Sequence, residues 1–531
     1  MAERIINHQG LGSRAYFRSP SYFYLLAFLE YLSGGSFWAV RIFQSIVGSF
    51  TAMLAGFFAY RLTGRKWAAA ISGLIVSCFW LSIYFDGELV FESMACFLNL
   101  LALYLLTFRS EKGRANVALS GFALGLAAIF RPNFLLFIAG VFGYWLYKKR
   151  YRDLAILAVC ASILILPITI RNLVVAKDPV LIASQDGINF WAGNNLEADG
   201  RMVILPETRY QLDGEFLKRF KDDPWFREDV WLISVYNPEK AAGRPVKESE
   251  VSRYWMTTTF NEIAGDPGRW LKLMLKKCYF LVSRTTVSNN RDLDYHREQI
   301  PILSALGYFH LGIIMPVALL GILLGVREKK NLYLVLYFFL YGASVVLFFV
   351  TSRYMIPLFP ALAVLAAVAV SQIIFLAKNK KWAWLAASLV LVAVFAFLSN
   401  SRLVKWNDRP LRSGMRYNLG MAMMARGRFE QAIKPLKESV EIKPSWPEAN
   451  LALANALALS GKPQLSVRYY QDALFYSENF AEAHYDFGLT LIKLRQPEQA
   501  YDHLLEAHQI KPELFPTPEQ VLESLSKKSS D

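Results

Sequence analysis

The amino-acid sequence predicts an all-α membrane protein, a polytopic helix bundle with an inserted soluble loop domain and a C-terminal α-solenoid. Three observations carry this expectation. Of the 531 residues, 54% are hydrophobic and 15% aromatic but only 19% charged, too apolar and too aromatic for an ordinary soluble chain. Apolar runs alternate with short basic clusters through most of the sequence, and the final part repeats with a fixed helical period.

The formal net charge of +15 does not indicate nucleic acid, because Lys and Arg gather between apolar runs, as membrane orientation requires, and no nucleic-acid motif is present. Cys78, Cys96 and Cys160 lie inside apolar runs and Cys278 follows a basic amphipathic segment, so neither a disulfide framework nor a zinc site is expected. No histidine is paired with Ser or Cys in a way that argues for nucleophilic catalysis.

Taken in order, Met1–Arg18 is polar and carries no signal region. Ser21–Leu32 is apolar and aromatic but shorter than the roughly 20 residues a span needs, which predicts an interfacial helix. Spans are expected at Trp38–Leu62, Trp67–Phe85, Leu89–Phe108, Ala115–Phe130, Pro132–Tyr147 and Leu154–Ile170. After Asn172 a polar stretch with turn signals such as Gly193-Asn194-Asn195 and Asp222-Asp223-Pro224 reads as a soluble insertion reaching Pro301. Four further spans follow, Leu303–Val326, Leu332–Val350, Tyr354–Ala377 and Trp382–Leu398, for about ten in all.

Threading these spans alternately puts Arg61/Arg65/Lys66, Arg109/Lys112/Arg114, Lys148/Lys149/Arg150/Arg152, Arg327/Lys329/Lys330 and Lys378/Lys380/Lys381 on one face, which the positive-inside rule makes cytoplasmic. The other face then holds the N-terminal segment, Asp86–Glu92, Arg131, the soluble loop, Arg353 and the C-terminus. From about Ser413 the chain repeats: Gly420, Ala454 and Gly488 are 34 apart, as are Ala432, Ser466 and Ala500, and Leu436, Tyr470 and Leu504. That period, with small residues where paired helices cross, is the tetratricopeptide pattern and predicts a solenoid that binds a protein partner. The expected layout is an outer-face segment at 1–37, bundle halves at 38–171 and 302–399, the loop at 172–301, a linker at 400–413, three repeats at 414–512 and a polar tail at 513–531.

The chemistry centres on Tyr84-Phe85-Asp86-Gly87-Glu88-Leu89-Val90-Phe91-Glu92, three carboxylates between apolar runs, where an ionised group is costly unless it faces a cavity or an interface. A polar turn is the plain alternative. Asp86 and Glu88 alternate across a turn and so suit a catalytic acid–base pair or the oxygen ligands of a divalent cation, Mg²⁺ or Mn²⁺. Glu92, a helical turn past Glu88, either lines the same cavity or simply meets a helix N-terminus. Arg18 beside aromatics, Arg131 before Pro132, and Arg353-Tyr354 add cations at the same level. Each reads either as a headgroup anchor or as part of a site for an anionic, phosphate-bearing lipid.

Tyr16-Phe17-Arg18-Ser19-Pro20-Ser21-Tyr22, the Tyr84–Glu92 stretch and Phe130-Arg131-Pro132 together resemble the N-terminal half of bacterial GT-C glycosyltransferases. The group is the one similar to protein mannosyltransferases and to the aminoarabinose transferase of lipid A. Ile170-Arg171-Asn172, Asp186-Gly187-Ile188-Asn189-Phe190-Trp191-Ala192-Gly193-Asn194-Asn195, Ser288-Asn289-Asn290-Arg291-Asp292 and Ser352-Arg353-Tyr354-Met355-Ile356-Pro357 extend it over residues 1 to 400. The resemblance implies transfer of a sugar from a polyprenyl-phosphate carrier to a protein or glycolipid acceptor, on the outer face of a bacterial cytoplasmic membrane. In that family a leading carboxylate follows the first span. Here Met1–Ile6 resembles the late part of that loop, so the expectation is either a start codon further upstream or a remnant. A membrane-anchored tetratricopeptide scaffold for envelope assembly is the competing function, and a transporter is disfavoured because the halves show no matching broken spans.

Overall fold

The computed structural model describes residues 2–8, 10–108, 113–200, 212–221, 223–226, 229–288, 292–326, 328–401, 403–404 and 409–528. Arg109, Lys112, Arg327 and the Asn289-Asn290-Arg291 motif lie outside the described residues. Among the described residues every regular element is a helix. The chain forms two compact units, Met1–Asn289 with His296–Val404, and Asn290–Tyr295 with Lys405–Asp531.

In the first unit, four helices are long and apolar enough to cross a membrane among the described residues: Phe37–Thr63, Tyr151–Val174, Ser352–Lys378 and Trp382–Asn400. A fifth arises if Lys66–Cys78 and Trp80–Asp86, bent by 56° across Phe79, count as one broken span. The other apolar segments are shorter helices, Glu92–Thr107, Arg114–Phe130, Pro132–Tyr147, Leu311–Gly325 and Leu332–Leu347, alongside Ser21–Leu32. At 1.5 Å per residue none of these reaches across about 30 Å of hydrocarbon alone, so the ten expected spans become four or five full ones packed with shorter helices. The expected Leu303–Val326 span is likewise divided, into Pro301–Leu306 and Leu311–Gly325.

Ser352–Lys378 is mostly buried among its neighbours, whereas Tyr151–Val174 and Trp382–Asn400 are largely uncovered. This places the first at the centre of the bundle and leaves the other two to face lipid. Close packing depends on small residues. A Cβ on Gly125 would stand 2.6 Å from the Ala161 carbonyl, which draws Arg114–Phe130 against Tyr151–Val174; Gly321 likewise admits the backbone of Leu365.

The soluble insertion belongs to the same unit and has an aromatic core of Trp191, Trp225, Trp231 and Trp255, into which Phe17 of the N-terminal segment packs. Buried Glu248 ties the parts together by accepting from Arg14 Nε at 2.8 Å, Trp231 Nε1 at 3.1 Å and Ser184 Oγ at 3.1 Å. The Arg171-Asn172 motif serves the same end. Arg171 donates to the carbonyls of Gly12 and Arg14, and Asn172 donates to Val180 O at 3.0 Å while accepting from Tyr16 N.

The second unit consists of three antiparallel helix pairs, Arg409–Met424 with Phe429–Ile442, Pro447–Leu459 with Pro463–Tyr476, and Ala481–Lys493 with Pro497–Ile510, followed by Pro518–Lys528. The first repeat helix therefore starts earlier than the expected 414. Gly420 packs against Leu436 and Gly488 against Leu504, where an added Cβ would collide, and Ala454 shares a cluster with Tyr470. The 34-residue spacing thus marks the helix crossings. Asp292, from the expected Ser288–Asp292 motif, is buried in this unit and accepts from Arg412 Nε at 2.7 Å.

Candidate functional site

The site grows from three helix ends in the first unit. Glu92 is the first residue of Glu92–Thr107, Arg131 follows Arg114–Phe130 just before Pro132, and Arg353 lies in the opening turn, Ser352–Met355, of the central span. That turn is fixed locally: Thr351 Oγ1 caps it by accepting from Tyr354 N, while Ser352 N donates to Val287 O at 2.8 Å.

Glu92 is fully buried and joins both cations. Its Oε1 accepts from Arg353 Nε at 2.6 Å and from Arg131 Nη1 at 3.3 Å. Arg131 is 2% exposed, with its guanidinium 4.6 Å from the centre of the Tyr354 ring and 5.4 Å from that of Phe91. Two guanidinium groups against one carboxylate leave a net positive charge in a low-dielectric setting, which attracts an anion. Arg131 Nη2, moreover, is buried without a hydrogen-bond partner. A buried N–H donor of this kind is costly unless the oxygen of a water or a ligand completes it.

Asp86 ends the short helix Trp80–Asp86, beyond the bend at Phe79. Its carboxylate accepts from Ser93 Oγ and lies against Gly48, where an added Cβ would strike it. Asp86 and Glu92 both line a cavity of about 220 Å³ whose other walls carry the hydroxyls of Ser45, Ser49, Ser82 and Ser93. The lining includes Asp86 and Glu92 but not Glu88, so the carboxylate that shares this cavity with Asp86 is Glu92 and not the Glu88 expected from alternation. The physical reason is the turn itself. Gln44, fully buried in Phe37–Thr63, donates through Nε2 to the carbonyls of Phe85, Asp86 and Glu88, the last at 2.6 Å. Its Oε1 accepts from Tyr22 OH at 2.7 Å, and Arg41 Nε donates to Gly87 O at 3.0 Å. These bonds hold the main chain of the turn and direct Asp86 inward.

Arg18 is half-buried on a segment fastened beside Arg131, since Ser19 and Ser21 hydroxyls both donate to Ile129 O. Tyr354 serves as the aromatic platform under Arg131. Gln44, Ser93 and Gly48 join the site without belonging to any of the sequence motifs, whereas Tyr22 closes the Tyr16–Tyr22 motif. Only Gln44, an amide inside an apolar run, left a visible signal. Among the described residues no three His, Cys, Asp or Glu side chains are grouped as metal ligands.

The expected Asp186–Asn195 motif is a junction. Asn194 is fully buried, accepts from Trp270 Nε1 at 3.1 Å and Lys277 Nζ at 3.0 Å, and donates to Leu347 O at 2.8 Å. Gly193 permits this by letting its backbone meet the Phe348 carbonyl.

Comparison with known proteins bears on both units. Residues 18–174, which include Arg18, Asp86, Glu92 and Arg131, match the family described as dolichyl-phosphate-mannose-protein mannosyltransferase. The chain is also 36% identical over 107 residues, 20% of its length, to the type IV pilus assembly protein PilF of Pseudomonas aeruginosa, and it spans 42% of that relative. Among solved structures, it is similar to YrrB, a TPR protein with an unusual peptide-binding site, at 14% identity and a TM-score of 0.19, covering 38% of this chain and 88% of the other. It is likewise similar to the APC/C hetero-tetramer Cut9–Hcn1, at 12% identity and a TM-score of 0.22 over 88% and 91% of the two chains.

Proposed function

We infer that this chain, a membrane glycosyltransferase of the GT-C kind through residues 18–174 with tetratricopeptide-like repeats at its C-terminus, transfers a sugar from a polyprenyl-phosphate donor to a protein or glycolipid acceptor. The reaction takes place on the non-cytoplasmic face of a bacterial inner membrane, a reading supported by the distribution of basic clusters in the sequence. The observation that carries the donor assignment is the buried, incompletely bonded Arg131 paired with Arg353 through Glu92. An anion with oxygens to spare, such as a lipid phosphate, satisfies that donor and balances the charge.

In this reading Asp86 is the general base. It removes the proton of the acceptor hydroxyl as that oxygen bonds to the anomeric carbon, and the bond from that carbon to the phosphate oxygen breaks. The polyprenyl phosphate leaves with the bonding electron pair, and Arg131 and Arg353 stabilise its charge. Glu92 is unsuited to the base role because its carboxylate is engaged by two guanidinium groups, Arg131 and Arg353. Asp86, with the Ser93 hydroxyl beside it, would hold a Mg²⁺ or Mn²⁺ at this site, as such ions are held by one carboxylate and substrate phosphates. When bound it supplies further charge stabilisation to the leaving phosphate. Asp86→Asn in lipid-reconstituted protein should cut the release of polyprenyl phosphate, followed by mass spectrometry, by at least about 100-fold with insertion retained. Unchanged turnover removes Asp86 from the reaction.

The identity to a pilus assembly protein favours a second reading in which the repeats recruit an envelope protein. Deleting residues 405–531 should leave transfer to a small soluble acceptor intact while abolishing modification of the recruited partner in cells. Loss of both activities together would make the repeats part of the catalytic machinery.

A further inference from the structure

The helix Pro267–Val282, outside the site, is amphipathic in an unusual sense. One side is buried through Leu273, Met274, Phe280 and Leu281, mainly against the apolar helices Leu332–Leu347 and Leu311–Gly325. On the other, Leu271 and Leu275, one turn apart, are 58% and 64% exposed, and the exposed Cys278 continues their stripe. Lys272 is exposed beside them and Lys276 is half-buried. Arg269 does not share their role, since its guanidinium donates to the carbonyls of Asn194 and Asn195.

The attachments of this helix say what covers the stripe. Lys277 Nζ donates at 2.5 Å to Phe348 O, immediately past the apolar helix Leu332–Leu347. The Tyr279 hydroxyl donates to Ser401 O and Arg284 N donates to Ser399 O at 2.8 Å, both at the end of the span Trp382–Asn400. Where apolar helices end, hydrocarbon gives way to headgroups, so the stripe emerges at that level.

We propose that Pro267–Val282 is a membrane-surface helix that docks on anionic phospholipid, with Leu271 and Leu275 in the acyl boundary and Lys272 and Lys276 on lipid phosphates. The docking reaches the Glu92 cluster. Past the helix, Val287 N donates to Ser352 Oγ at 2.9 Å and Ser352 N returns a bond to Val287 O, and Ser352 adjoins Arg353. Lipid held by the helix therefore steadies the turn that carries Arg353. The proposal rests on packing and charge, and stands whatever reaction the site performs.

The test uses the full chain in nanodiscs of mixed phosphatidylcholine and phosphatidylglycerol, with bimane on Cys278 and Cys78, Cys96 and Cys160 replaced by alanine. Brominated lipids should quench the label and aqueous iodide should not. Brominated phosphatidylglycerol should be enriched over brominated phosphatidylcholine near the label by about fivefold per lysine, and Lys272→Gln with Lys276→Gln should bring the two to parity. Iodide quenching without lipid quenching overturns the proposal and indicates a water-facing helix, and quenching by neither overturns it and indicates a protein-covered one; equal quenching by the two lipids in the lysine-intact protein overturns the anionic preference. Should the cysteine replacements fail to fold, native mass spectrometry of the unsubstituted chain supplies the same comparison. Retained phosphatidylglycerol that the lysine variant loses supports docking, and equal retention overturns it.

Discussion

The two units bury polar groups in opposite ways. In the membrane unit, Glu92 and Arg131 are almost completely enclosed, charged, and joined to Arg353 by a carboxylate that serves two cations. In the repeat unit the enclosed polar groups are mainly neutral and bonded to one another: Tyr470 OH donates to Asn455 at 2.6 Å, and Ser413 Oγ donates to Ser439 O at 2.9 Å. Its ion pair Lys462–Glu430 lies at the surface, where such a pair contributes at most about 1 kcal/mol, and its one enclosed carboxylate among the described ion pairs, Asp292, is matched by a single partly exposed cation, Arg412. A fold that needed only stability would resemble the repeats throughout, because burying ion pairs rarely stabilises more than well-packed apolar residues do. The enclosed charges of the membrane unit therefore point to a ligand.

Glu92→Gln breaks this contrast most severely. It leaves the enclosed Arg131 and the half-buried Arg353 with no carboxylate, which should destabilise the membrane unit by about 3–5 kcal/mol and abolish transfer. Thermal unfolding in detergent, followed with and without Glu92→Asp as the charge-preserving variant, checks it. A Gln variant as stable as the parent would mean that the arginines are neutralised by some other group, and the argument for a phosphate site would lapse.

Gly420→Val asks the same question of the repeats, where packing alone is at stake. The new side chain meets Leu436 directly, so overpacking should cost about 1–3 kcal/mol. That loss should appear in the unfolding of the repeat unit, read by circular dichroism of residues 405–531, while sugar transfer to a small acceptor stays unchanged. If transfer falls in parallel, the repeats contribute to the reaction itself.

The same contrast explains what could be read in advance. The repeats are periodic, so Gly420, Ala454 and Gly488 announced the helix crossings by spacing alone. The apolar runs announced the helices but not their ends, because the bend at Phe79 and the division before Leu311 are decided by packing. Asp86, Glu92, Arg131 and Arg353 stood out individually as charges in apolar surroundings. Their partnership did not, since Glu92 and Arg353 are 261 positions apart and no periodicity links them. Local alternation favoured Glu88 as the companion of Asp86, and it could not anticipate that Gln44, from another helix, would fix the turn by its carbonyls. Gly48 and Ser93 were invisible for the same reason: a small residue or a hydroxyl becomes part of a site only when the fold sets a carboxylate beside it.

Lys277 sharpens the comparison with the smallest expected effect. It is an enclosed cation of the membrane unit whose ammonium group is held by two neutral oxygens, Asn194 Oδ1 and Phe348 O, in place of a carboxylate. Burial lowers its pKa from 10.5 to about 7, with the charge of Arg269 acting in the same direction. In the unfolded chain the lysine keeps its proton up to about pH 10.4, while in the folded protein it loses it above about 7. Between those values the unfolded state binds more protons, so stability rises with pH. Asp186, raised by burial to about 6, acts with the opposite sign and only in the acidic range, between its ordinary value and 6. From pH 7.5 to 9 the unfolding free energy should therefore increase by at most about 1.4 kcal/mol per pH unit. Lys277→Gln should flatten that slope while leaving the profile below pH 6 unaltered. An unchanged slope in the variant would show that the junction between the insertion and the bundle tolerates an enclosed charge at no cost, and would remove Lys277 from the contrast with the repeats.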